Sequence, residues 1–324
     1  MTANAELLQR LNGRTVIASI SGGKDSSALS LWLTEQGIEH ERVHLRTGWD
    51  SPITMDYLRT TLTAKIGPIL ELQGPLQMRD LILKKGMFPS RQRRYCTEEL
   101  KILPMQKFLR SREDDHVNAI GIRRAESAAR STAAEWEWSN LYDCEIWRPL
   151  VAWTEQDVID IHRRHNLTPN PLYLQGAERV GCWPCINSRK SEIRLLADID
   201  ASRIDELDAL ENEVGQIALH RWERDRQAWI ADPPAEPPAG TPAWLKWTKK
   251  KKRLFEKPFN PPAFFQRSLP GDEDQNCVPI RKVVDWSRTI RGGGQYELFA
   301  GSARDDGCVR WGLCEQPRRG NDGE

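Results

Sequence analysis

TVIASISGGKDSSALSLWL, residues 15–33, decides how this chain is read. Its first six residues, TVIASI, form an apolar run of the length of a buried strand. Ala28, Leu29, Trp32 and Leu33 then recur at helical spacing. Between them stand Ser21, Gly22, Gly23, Lys24, Asp25, Ser26 and Ser27, so a strand passes through small residues directly into a helix. Such a junction holds an anion, because main-chain N–H groups, the helix dipole and the Lys24 ammonium converge there. Gly22 and Gly23 allow a left-handed turn or a close approach that a Cβ would block. A P-loop requires glycine, four residues, then Gly-Lys-Ser/Thr. Counting back from Gly23-Lys24 puts Ala18 at the first glycine and Asp25 at the magnesium-binding hydroxyl, which excludes that motif.

Working outward, ERVHLRTGWD offers a second strand ending near Thr47, and DDHVNAIGIRR a third ending at Gly121, with helical stretches between. This alternation predicts an α/β fold with a doubly wound, Rossmann-like parallel sheet whose ligand binds at the carboxyl ends of the strands. Thr154 and Asp157 form a capping-box variant opening a helix with Val158, Ile161 and His165 on one side. Leu207, Leu210, Val214 and Ile217 mark a later helix. DPPAEPPAGTP, residues 232–242, can continue neither a helix nor a central strand and is read as a linker. A helical and irregular C-terminal extension follows.

The 324 residues, 39% of them hydrophobic, suffice for one large domain or two ordinary ones. With 47 cations against 46 acids, the net charge of +1 indicates neither a nucleic-acid coat nor an acidic substrate. No stretch approaches 18 apolar residues, and MTANAELLQRLNG lacks the basic start and apolar core of a signal peptide. The expectation is a cytoplasmic protein with no membrane contact. Lys249–Arg253, flanked by Trp244, Trp247 and Phe255, combines phosphate-seeking charge with stacking surfaces and is the candidate nucleic-acid contact. Seven cysteines in such a chain suggest metal or redox use rather than a disulfide framework. Cys182-Trp-Pro-Cys185 has a metal-ligand spacing, and Cys308 with Cys314 makes a wider pair; four thiolates complete a zinc tetrahedron or a [4Fe–4S] cluster.

SGGKDS resembles the pyrophosphate-binding (PP) loop of the adenine nucleotide α-hydrolase superfamily, in which ATP is cut between its α and β phosphates. TGWDSPIT (47–54), RRYCTEELKILPM (93–105), GIRRAESAAR (121–130), PLVAWTEQDV and NPLYLQGAERVGCWPC are similar to the PAPS reductase (CysH-like) branch. The resemblance implies that Ser21 to Ser27 line the nucleotide phosphates, with Lys24 and Asp25 in catalytic positions. Leu45 and Thr47 would flank the adenine and Gly121 the ribose; Arg123, Glu126 and Arg130 would face the reacting phosphates or a second substrate. With the proline linker, the expected division is a nucleotide-binding domain over 1–175, a CxxC and helical segment over 176–232, the linker at 233–242 and a basic, Trp-containing region over 243–324.

Two departures stand out. Arg46 replaces the family's strand-end acid, and Gly312-Leu-Cys-Glu315 stands where PAPS reductases carry a C-terminal Glu-Cys-Gly-Leu-His, which points away from sulfonucleotide reduction. The resemblance also favours iron and sulfur over zinc. Two ligand sets compete: Cys182 and Cys185 with Cys308 and Cys314, or with Cys96 and one tail cysteine. The first is the expected set, and it leaves Cys96 beside Arg93 and Arg94 as a low-pKa sulfur carrier. The resulting expectation is a MgATP-dependent ATP pyrophosphatase that adenylates an acceptor in sulfur transfer or nucleic-acid modification. It would work with a sulfur-donor protein and be similar to DNA phosphorothioation, tRNA thiolation or CRISPR-associated CysH-like proteins. A PAPS/APS reductase and a non-catalytic nucleotide-binding accessory protein are the alternatives.

Overall fold

The computed structural model describes residues 3–266, 269, 277–289 and 311. They form two compact units: 3–78, 95–185 and Trp311 in one, and 79–94, 186–266, 269 and 277–289 in the other.

The first unit is built on six strands: β1 (Thr15–Ser19), β2 (His40–Arg46), β3 (Leu70–Gln73), β4 (His116–Ile120), β5 (Trp136–Ser139) and β6 (Cys144–Trp147). Their order across the sheet is β3-β2-β1-β4-β6-β5, parallel throughout except for the antiparallel β5–β6 pair. The fold is α/β, with helices flanking a doubly wound sheet and a helical C-terminal part. β1 is apolar because it is central: Val16, Ile17 and Ala18 are buried on both faces. Its register sets Ile17 beside Glu41 on β2 and Asn118 on β4, so the carboxyl ends of β1 and β4 lie side by side. The strand order reverses between them, and that reversal is where an open α/β sheet binds its ligand. β5 closes the edge by stacking Trp136 on Trp147 with ring centroids 4.9 Å apart, and Arg10 lies 3.8 Å over the Trp136 ring.

The Glu155–Arg164 helix opens with the expected box: Thr154 Oγ1 accepts from the Asp157 N–H (3.2 Å) while the Asp157 carboxylate accepts from the Thr154 N–H (2.7 Å). His165 falls past its end and turns its Nε2 to Glu35 at 2.7 Å rather than joining the buried stripe of Val158 and Ile161. The second unit is dominated by the long Ala201–Ala231 helix, with Ile204, Leu207, Leu210 and Val214 buried along it. Residues 233–241 are irregular, and the Pro242–Lys251 helix follows.

Candidate functional site

Leaving β1, the Ile20 N–H donates to the Val43 carbonyl at 2.8 Å, and the chain enters the glycine turn. Gly22 has φ +76°, and a Cβ there would lie 2.9 Å from Thr54 Cγ2, so both conformation and space demand glycine. Gly23 precedes the Lys24–Glu35 helix in extended conformation and caps it without a side-chain oxygen. Serines brace the turn: Ser26 and Ser27 hydroxyls donate to the Gly23 carbonyl at 2.9 and 3.1 Å, and the Ser21 N–H donates to Ser26 Oγ at 3.1 Å. Asn170 Nδ2 donates to the Gly22 carbonyl and to Thr54 Oγ1, each at 3.2 Å, and the Lys24 N–H donates to the Tyr173 hydroxyl at 3.2 Å.

The end of β4 meets this turn backbone to backbone. A Cβ on Gly121 would fall 2.5 Å from the Asp25 carbonyl oxygen. Two residues on, Arg123 is 5% exposed and ion-paired with Asp25, and its N–H donates to the Glu126 carboxylate at 3.0 Å, which also pairs with Arg130. Lys24 Nζ lies 3.0 Å from Glu155 Oε1 and 5.1 Å from the centre of the Tyr173 ring. Burial pushes the Asp25 carboxyl above its usual range although Arg123 pulls it down. Burial also opposes the Arg123 charge, yet Asp25, Glu126 and Glu155 hold its pKa above the usual value. The structure thus gathers Ser21 to Ser27, Gly121 and Arg123 around one helix N-terminus, with two cations each held by a carboxylate.

Glu155, Asn170 and Tyr173 support the loop from far along the chain, and Trp311 packs behind Tyr173 with its carbonyl accepting from Arg163 Nε at 3.2 Å. Glu155, Asn170 and Tyr173 lie in the stretches that carry the resemblance, but no local spacing announces their contact with the turn.

The other expected nucleotide residues lie at the end of β2. Leu45 packs with Ile17, Val43 and Met105 on one sheet face. Thr47 is buried; its N–H and hydroxyl both donate to the Asp50 carboxylate at 3.0 Å. Arg46, in place of an acid, is ion-paired at 3.3 Å with Glu71 on β3. The segment bearing Cys182 pairs with this loop: Asp50 and Cys182 form an antiparallel bridge, the Trp183 N–H donates to the Trp49 carbonyl at 2.8 Å, and Trp49 Nε1 donates to the Pro184 carbonyl at 3.1 Å.

Lys101 stands among the thiols. Cys182, followed by Asp50, Cys185 and Cys96, raises its pKa against the effect of burial. Cys96 therefore differs from its expected state. Burial pushes its thiol up rather than down, Cys185 adds to the rise, and the cation that opposes it is Lys101. Burial likewise raises Cys182. Among the described residues no three His, Cys, Asp or Glu side chains form a site for a metal ion, and Cys308 and Cys314 lie outside the described residues.

The sequence profile of the phosphoadenosine phosphosulfate reductase domain matches residues 15–188, more than half of the chain. The chain belongs to that family. Among its relatives is an uncharacterized 37.8 kDa protein from the gpa 5′ region of Escherichia phage 186, 29% identical, with the match covering 92% of this chain and 96% of that one. An adenosine 5′-phosphosulfate reductase of Mycolicibacterium smegmatis is 29% identical over 106 residues, 33% of this chain and 43% of the reductase, so the match spans less than half of that enzyme. A phosphoadenylyl-sulfate (PAPS) reductase from Candida auris in a phosphate complex superposes with 16% identity and a TM-score of 0.45 over 56% of this chain and 88% of that one. No helix among the described residues is long and apolar enough to cross a membrane.

Proposed function

We propose that this PAPS reductase-domain protein is an ATP pyrophosphatase: it binds MgATP at the β1 turn and cleaves it between the α and β phosphates, transferring the adenylyl group to an acceptor. The observation that carries this reading is the pairing of Lys24 and Arg123 with carboxylates at a helix N-terminus whose N-cap, Gly23, brings no side-chain acceptor, beside β4. A polyphosphate entering there competes with Glu155 and Asp25 for cations already in place. Lys24 and the main-chain N–H groups of the turn then neutralise charge that grows on the departing pyrophosphate. Because Gly121 allows the β4 end to touch the helix start, Arg123 is fixed by packing before substrate arrives. Magnesium enters with the nucleotide as part of the substrate. Leu45, Thr47 and Gly121 are assigned to the adenosine side.

The thiols supply the second half of the proposal, sulfur transfer to the adenylated acceptor. Cys182 and Cys185 are assigned to a [4Fe–4S] cluster. The expected set completes it with Cys308 and Cys314 and leaves Cys96 as the sulfur carrier; the alternative set takes Cys96 and one tail cysteine. When bound, such a cluster would supply sulfide or electrons beside the nucleotide. Iron and zinc counting with visible absorbance on anaerobically purified protein distinguishes the cases: iron with a charge-transfer band supports the cluster, and a colourless protein with neither metal contradicts it.

The phage relative supports placing this chemistry in a mobile-element or defence setting. The similarity to an adenosine 5′-phosphosulfate reductase favours one second reading, reduction of a sulfonucleotide. Incubation with MgATP, and separately with PAPS or APS plus thioredoxin, tests the two. AMP with pyrophosphate supports the pyrophosphatase; sulfite release with no AMP formed from ATP supports the reductase.

A further inference from the structure

The second unit carries a pocket most of whose wall lies outside residues 15–188, which the PAPS reductase profile matches. It encloses about 350 Å³, and its wall includes Arg221, Trp222, Asp225, Arg253, Lys257 and Phe259. That volume falls in the range of small-ligand sites. Its parts are fixed. Trp222 Nε1 donates to the Arg253 carbonyl at 3.1 Å, and the Trp222 and Phe259 rings lie 5.8 Å apart at 53°. Arg221 donates to the Lys85 carbonyl at 2.7 Å and lies against Gly86, whose φ of +63° favours glycine. Arg253 is held by Asp225 at 3.1 Å. The pocket thus joins an aromatic wall to two oriented guanidinium groups.

Charge continues away from it. Along Lys246 to Lys257 the cations are Lys246, Lys249 to Lys252, Arg253 and Lys257, against Glu256 alone, and all of these cations are exposed. Lys250 and Lys251 lie 5.5 and 4.9 Å over the Trp229 and Trp247 rings, which pins the start of the run to aromatic surface. Neither a sheet nor the nucleotide turn explains a mouth that is aromatic and cationic at once. A flexible polyanion whose planar groups can leave its backbone fits it.

We infer that this pocket receives one unpaired base of a single-stranded nucleic acid, packed against the aromatic wall that Trp222 and Phe259 form together, while Arg253, Lys257 and the Lys249–Lys252 run follow the phosphates on either side. Stacking selects single strands over duplexes, since a paired base cannot enter, and the cationic run makes binding depend on salt. The site is independent of the β1 turn, so its occupancy does not require nucleotide hydrolysis.

Fluorescence anisotropy of the full chain with a labelled oligothymidylate, its fully abasic counterpart and a duplex of equal length tests this. The inference predicts tightest binding to the oligothymidylate, a loss of about fivefold to 150-fold for the abasic strand, and a log–log salt slope of about −0.7 for each contacted phosphate. Lys249→Glu with Lys252→Glu, both at exposed positions, should flatten that slope by about 1.4. Phe259→Ala should abolish the distinction between intact and abasic strands while keeping the slope, and Lys24→Ala should change nothing. Equal affinity for abasic and intact strands, or preference for the duplex, overturns the base pocket whether or not the Phe259 variant folds. Binding to phosphatidylserine vesicles with none to any oligonucleotide overturns the partner.

Discussion

Each unit holds a carboxylate largely out of water, Asp25 partly buried and Glu211 buried, and the two settings differ in kind. Asp25 lies at the start of the Lys24–Glu35 helix against the buried guanidinium of Arg123, and burial raises its pKa while that cation lowers it. Glu211, in the middle of the Ala201–Ala231 helix, faces neutral donors: the Phe264 and Ile280 N–H groups, at 2.8 and 2.9 Å. Burial pushes it up to about 7. Glu211 ties an irregular segment and the first turn of the Ile280–Ser287 helix to the long helix, satisfying amides with no strand or helix partner. It serves the fold. In the proposed nucleotide site Asp25 instead restrains the cation that an anionic ligand would take over, which would connect its burial to binding.

The sharpest way to break this contrast is at Lys24. Lys24→Ala should lower nucleotide turnover by at least about 100-fold with far-UV circular dichroism unchanged; turnover near the parent value would remove the loop from the chemistry. Gly121→Ala comes next. Its Cβ meets backbone rather than a movable side chain, so urea unfolding should show a loss on the order of 1–3 kcal/mol, accompanied by weakened nucleotide binding.

Glu211 sharpens the comparison through pH. Its folded pKa is raised from 4.5 to about 7, so its favourable contribution is complete below 4.5 and is lost as pH rises through 7. That shift corresponds to roughly 3 kcal/mol. The stability difference between the parent chain and Glu211→Gln should therefore change across this window, and a difference independent of pH would contradict the assignment. The smallest effect is expected at Glu35, whose pairs with Arg164 and His165 lie near the surface. Glu35→Gln should shift stability by no more than about 0.5 kcal/mol, with less effect at high salt.

The contrast also explains what could be read from the sequence. β1 and its turn were legible because a central strand must be apolar and a turn pressed against Thr54 must be glycine. The ends of β2 and β4 followed from the same βα rhythm. β3, β5 and β6 escaped notice: each is four residues long, and edge strands such as LELQ, with Leu70 47% exposed, have no continuous apolar run to betray them. Glu155, Asn170 and Tyr173 were illegible for another reason. Their approach to the turn is set by tertiary packing across more than a hundred residues, which no periodicity encodes. Cys96 shows the limit of reading charge from neighbours in sequence, since Arg93 and Arg94 suggested a low pKa while burial and Cys185 raise it. In the second unit, composition marked the Lys249–Arg253 run but gave no sign that Trp222 and Phe259 wall a pocket beside Arg253.

The most direct test of the nucleotide site is a crystal structure with an α,β-nonhydrolysable ATP analogue and magnesium. The β and γ phosphates should lie on the main-chain amides of Gly22 to Ser26, with Lys24 Nζ drawn from Glu155 onto a phosphate oxygen. An analogue whose phosphates sit away from the β1 turn, with the Lys24–Glu155 pair intact, would contradict the account.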